Sequence, residues 1–182
     1  VHGEHYSLWF QASATAGKVF KSTNLAAKSQ SIPWFEKIHE YYEFSGAAAN
    51  NIGLYHRDIT RNYKESLKWY LAAMEREPSN QDIVNDTGLI YLFHFTGAEQ
   101  KKALPLLLKT LALVMEDEQA PIRGFWDALE NLCVYYSSVE PDPNKVIEYG
   151  GLRNNNYAGV APYTQSAKVV GLMARARKMI GE

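Results

Sequence analysis

The stretch Tyr63-Lys64-Glu65-Ser66-Leu67-Lys68-Trp69-Tyr70-Leu71-Ala72-Ala73-Met74, followed by Pro78-Ser79-Asn80, decides how the chain is read. Leu67, Tyr70, Leu71 and Met74 recur at steps of three and four, which places them on one stripe of a helix. Pro78 cannot continue that helix, so the segment stops there. The same period runs through most of the chain. Asp82 to Phe95 carries Ile83, Leu89, Ile90 and Phe93 at helical spacing, and Thr96-Gly97 breaks the pattern. Leu104–Val114 and Phe125–Tyr136 read as further helices. Glu140-Pro141-Asp142-Pro143 is a turn whose last proline is placed to open the next helix. Upstream, Pro33–Phe44 and Ala47–Arg57 form a pair around Ser45-Gly46, and Pro162–Ile180 closes the chain as a basic helix. Lys21–Ser31 and Arg153–Ala161, rich in Ser, Asn and Gly, are expected to be irregular. No alternating β-branched run is bounded by hairpin turns, so the fold class is all-α.

Composition agrees with a globular helical chain and narrows its chemistry. The 182 residues are 46% hydrophobic and 21% charged, with 19 Lys and Arg against 20 Asp and Glu. A net charge of −1 supplies no chain-wide basic field for nucleic acid, so no nucleic-acid partner is expected. No apolar run reaches the roughly 18 residues of a membrane span. The single cysteine, Cys133, rules out an internal disulfide framework. An opening at Val1 without a cationic–apolar leader reads as a processed product or an excised fragment, and the compartment, cytoplasmic or periplasmic, stays open.

Gly53, Gly88 and Cys133 each fall inside the first helix of a predicted pair, 35 and 45 residues apart. After Gly53 come Ser66, Tyr70, Ala73 and Pro78, a small–aromatic–small–proline series. Tyr91, Ala103, Leu107 and Thr110 follow Gly88, and Tyr136 with Lys145-Val146-Ile147-Glu148-Tyr149 follows Cys133. These series and the first interval resemble the tetratricopeptide family, whose period is about 34 residues. The resemblance covers about residues 47–152. His56, Gly150 and Pro105 depart from the pattern, and Pro105 predicts a late helix start or a kink. The resemblance implies a right-handed stack of antiparallel helix pairs in one domain: an N-terminal helical segment (1–46), three pairs (47–152), and a loop with a C-terminal capping helix (153–182). A small residue in each pair would admit the bulky aromatic of its neighbour.

The same resemblance implies a concave groove lined by the first helix of each pair. Its register places Asn50, Leu54 and Arg57 there from the first pair, then Asp82, Asn85, Asp86, Leu89 and Leu92 from the second. Asp127, Glu130, Asn131 and Val134 come from the third. The lysines and arginine with which chaperone-binding members hold a C-terminal carboxylate are missing. The implied partner is a peptide or protein presenting a polar or cationic segment, since an anionic tail would meet Asp86 and Asp127. No catalytic residue, cofactor or metal is expected. Glu36-Lys37-Ile38-His39 has the spacing of a di-iron ligand pair, but no second such pair occurs. Cys133 sits among Leu132, Val134 and Tyr135, the setting of an inert buried thiol. The competing readings are an all-α metal- or small-ligand-binding protein or enzyme built on His39, His56, His94 and Glu36, and a structural piece of a larger protein. Between Glu116 and Glu148 eight acidic residues stand against two basic ones; from Pro162 to Glu182 four basic residues stand against one acidic, so charge is unevenly spread.

Overall fold

A computed structural model describes residues 2–21, 24–116, 122–155 and 165–182. Among the described residues every regular element is helical and no strand occurs. In chain order the helices are α1 (His2–Phe20), α2 (Leu25–Tyr41), α3 (Ala47–Tyr55), α4 (Tyr63–Arg76), α5 (Gln81–His94), α6 (Gly97–Lys101), α7 (Ala103–Glu116), α8 (Ile122–Ser138), α9 (Pro143–Asn155) and α10 (Ala167–Ile180). A single π turn, His56–Thr60, continues α3. The chain divides into two compact units, Val1–Ile90 and Tyr91–Glu182, with the division inside α5.

In the first unit α3 packs on both α2 and α4. Phe35, Ile38, Ala48 and Ile52 form one buried cluster, flanked by Phe20 and Trp69, and Ala49, Ala73 and Ile83 form another. Each large aliphatic side chain so buried contributes about 1.5–3 kcal/mol relative to exposure. The face of α4 that goes inward is Ser66, Tyr70 and Ala73. Leu71 on the expected stripe stays partly exposed. The reason lies opposite, at Gly53. A Cβ there would stand 2.6 Å from Tyr70 Cδ1, so only a glycine lets the ring lie flat on α3. The Ser66 hydroxyl donates to the Gly53 carbonyl at 2.8 Å and fixes the same crossing point.

In the second unit α8 packs on α7 and α9, and α9 packs on α10. Its buried residues include Leu107, Leu129, Leu132, Cys133, Tyr135, Val146 and Val169. Gly150, where the repeat pattern wanted bulk, instead receives Met173 of α10; a Cβ would meet its Sδ at 2.6 Å. Phe93 of α5, counted as apolar stripe, is half exposed.

Two local expectations change, and the one at Pro105 acquires its reason. Leu25–Ser31 is helical rather than irregular: Asn24 caps α2, its Oδ1 accepting from the Ala26 amide at 2.9 Å, and Leu25-Ala26-Ala27 are strong helix formers. Pro33 therefore lies inside a helix, on its exposed side, where water can reach the carbonyl that loses its donor. At the other end, Arg153–Asn155 extends α9; residues 156–161 of the expected loop, and 162–164 of the expected last helix, lie outside the described residues. Pro105 falls in the first turn of α7, where its missing N–H would have had no helical partner. The late start is thus what accommodates it.

Candidate functional site

The densest polar grouping in the first unit joins α3, its π turn, α4 and α5. Asn50 lies on α3 and its Nδ2 donates to Asp86 Oδ2 of α5 at 3.2 Å. The extra residue of the π turn swings Arg57 toward the same carboxylate, with Nη1 3.3 Å from Asp86 Oδ1. The turn is closed by Arg61, whose φ of 54° is left-handed, and by the Asn62 amide donating to the His56 carbonyl at 2.9 Å. Arg57 also grips Asp58 with two bonds, Nε to Oδ1 at 2.6 Å and Nη2 to Oδ2 at 3.1 Å. Beneath lies Tyr70, fully buried, with its hydroxyl lacking any hydrogen-bond partner; Asn50 Oδ1 is also buried and unpartnered.

The charges at this grouping are held in tension. Burial pushes the Asp86 carboxyl above its ordinary range, and the Arg57 guanidinium and the Asn50 amide pull it back. Burial likewise works against the Arg57 cation, but the bond to Asp58 and the neighbouring Asp86 carboxylate outweigh it and raise its pKa. Tyr70 is pushed up by burial and then by Asp86, so it stays a neutral phenol and a hydrogen-bond donor. A carboxylate offers about four lone-pair sites, and two are taken here. Asp82 is exposed one turn before Asp86, while Asn50 Oδ1 is closed off from solvent.

Of the groove residues read from the sequence, the structure brings Asn50, Arg57 and Asp86 into one bonded group. Leu54, Asn85 and Leu89 are half-buried in the same unit. In the second unit Glu130 accepts from the Ser166 hydroxyl at 2.8 Å and lies 3.3 Å from Lys168 Nζ, which ties α8 to the start of α10. Asn131 and Leu92 are buried and present no side chain to solvent, Val134 is half-buried and Asp127 is exposed. The Arg153 guanidinium lies over the Trp126 ring, 4.9 Å from its centroid. Cys133 is fully buried beside Val146, and burial pushes its thiol up to about 12, so it is no thiolate at neutral pH.

The histidines named as possible ligands have other neighbours. His39 lies edge-on to Trp69, and His56 Nδ1 is 3.1 Å from Thr60 Oγ1. Glu36 is exposed, as is His94. Among the described residues no three of His, Cys, Asp and Glu gather as a metal site. No described helix is long and apolar enough to cross a membrane. The sequence reading missed the two unpartnered atoms and the Arg57–Asp58 grip. One signal was present, since Asn50 and Asp86 are 36 residues apart, close to the interval between Gly53 and Gly88. Neither a protein-family model nor a curated protein matches the chain.

Proposed function

We propose that this chain is a non-catalytic scaffold of tetratricopeptide-like helix pairs that binds a polar or cationic segment of a peptide or protein partner. The observation that carries the reading is the bonded group of Asn50, Arg57 and Asp86. It joins α3 and its π turn to α5, the helices that the repeat register read from the sequence makes the first members of successive pairs. The contact of Gly53 with Tyr70 supports the same register, since a small residue faces a bulky aromatic within the pair. The exposed Asp82 carboxylate, one turn from Asp86, favours a segment carrying Lys or Arg. An anionic segment meets Asp82 and Asp86. Half-buried Leu54 and Leu89 offer apolar contact beside the polar group. Reversal of charge at Asp86 is a poor probe, because a lysine there would oppose Arg57; the neutral isostere is better.

The test is a fluorescence-anisotropy titration of a lysine- and asparagine-rich peptide and of its glutamate-rich counterpart. The lysine peptide is expected to bind more tightly, to weaken with salt, and to lose about fivefold, near 1 kcal/mol, in Asp86→Asn. Equal binding of both peptides, unchanged by the substitution, would remove the proposal.

A further inference from the structure

One guanidinium serves two carboxylates in the bonded group of α3 and α5, and it serves them unequally. Arg57 holds Asp58 through a two-point fork, Nε to Oδ1 at 2.6 Å and Nη2 to Oδ2 at 3.1 Å. It reaches Asp86 through Nη1 alone, at 3.3 Å, beyond the roughly 2.7–2.9 Å of a strong charge-assisted bond. Asp58 is therefore the main partner of this cation and Asp86 the lesser one.

Asp86 has no such second partner. Among the described residues its one ion pair is with Arg57, and Asn50 Nδ2 supplies its other hydrogen bond at 3.2 Å. The side chains of Arg57 and Asp86 keep 21% and 19% of their surface exposed, so their contact is reached from solvent. The exposed Asp82 carboxylate stands one turn away on α5. The backbone that aims Arg57 is itself unusual: its π turn is closed by Arg61 in the left-handed region, where a non-glycine residue is uncommon. Such inserted turns are frequent at functional sites.

We propose that Arg57 is an internal occupant of the Asp86 carboxylate: a partner's lysine or arginine displaces it from Asp86, while Asp58 retains it. This role rests on the reading that the α3–α5 face takes a cationic segment, and it makes Arg57 the residue that sets the affinity of that face. In the unbound chain Arg57 neutralises a largely covered carboxylate, which would be costly alone. As the partner's cation arrives, Nη1 gives up one long bond and the fork to Asp58 stays intact, so no covered charge is left without a partner. The exchange also selects. A neutral or anionic segment offers Asp86 no charge in place of Arg57 and is rejected. Arg57 is thus a positioning residue that acts on the partner through Asp86.

The experiment titrates the lysine- and asparagine-rich peptide against the full chain as wild type, Arg57→Gln, Asp58→Asn and the double variant, with circular dichroism as the check on folding. Arg57→Gln is expected to bind about threefold tighter, whereas a merely structural arginine would lose binding on removal. Asp58→Asn hands Arg57 wholly to Asp86 and is expected to bind about threefold more weakly. In the Arg57→Gln background the same change should have little effect, because it acts through Arg57; simple loss of a negative charge would weaken binding equally in both backgrounds. Equal weakening in both backgrounds, or weaker binding in folded Arg57→Gln, would overturn the proposal, and the wild type's preference for the lysine peptide over its glutamate-rich counterpart would still stand. Absence of that preference in wild type and Arg57→Gln alike would remove both. Asp58 is 53% exposed, so Asp58→Asn keeps the test open if Arg57→Gln does not fold: unchanged or tighter binding in it would also overturn the proposal.

Discussion

The His39 ring meets the Trp69 ring edge-on with centroids 5.3 Å apart, and its Nδ1 is buried without a partner. Burial first, and the Arg76 cation second, disfavour the imidazolium and lower its pKa from the ordinary 6.5. The unfolded chain therefore takes up this proton at a higher pH than the folded chain. The stability that neutral His39 contributes is present above pH 6.5 and is lost as the pH falls through the folded value. His39→Phe keeps a ring against Trp69 and removes the titration. Urea denaturation between roughly pH 7 and pH 5 should show the wild type losing stability relative to the variant. Parallel curves for the two proteins would mean that His39 keeps its ordinary protonation in the fold. The residue was legible in the sequence as a candidate ligand because Glu36 precedes it at helical spacing; its contact with Trp69, 30 residues on, was not.

At the scale of elements, apolar spacing and turn residues located α3, α4 and, through Pro143, the start of α9, because these signals are local in the sequence. They missed the first turns of α2. There an asparagine cap and two alanines outweigh a composition that otherwise reads as a loop, and Pro33 masks the continuity. The π turn also escaped, since one inserted residue in a helix leaves no period of its own. The α3–α4 pair offers the sharpest energetic test. Gly53→Ala places a Cβ 2.6–2.7 Å from two Tyr70 ring carbons, and the ring is fully buried. Overpacking of this kind costs about 1–3 kcal/mol, against about 1 kcal/mol gained in helix propensity. A net loss of up to about 2 kcal/mol is expected by chemical denaturation, with part of it recovered in Gly53→Ala/Tyr70→Leu. A stabilising Gly53→Ala would show that the pair has room the structure does not give it.

For the whole molecule, the all-α class was plain from periodicity alone, as the described residues bear out. Charge was more informative by region than in sum, since Asp82 and Asp86 give α5 an acidic first half. What the sequence could not supply is satisfaction of polar groups: Asp86 was read as an open acid and is instead shared between Arg57 and Asn50. Sharing of that kind depends on side chains 29 and 36 residues away in the chain, and beyond the match of the 36-residue separation to the repeat interval the pattern gave no sign of it. The account turns on one face doing the binding. Two-dimensional amide NMR during titration with the lysine- and asparagine-rich peptide tests it most directly. The Asn50 side-chain amide and the α5 backbone amides from Asp82 to Leu89 should shift in proportion to occupancy, while those of Ala12 and Trp34 stay in place. Saturable binding that leaves Asn50 and α5 unmoved would contradict it.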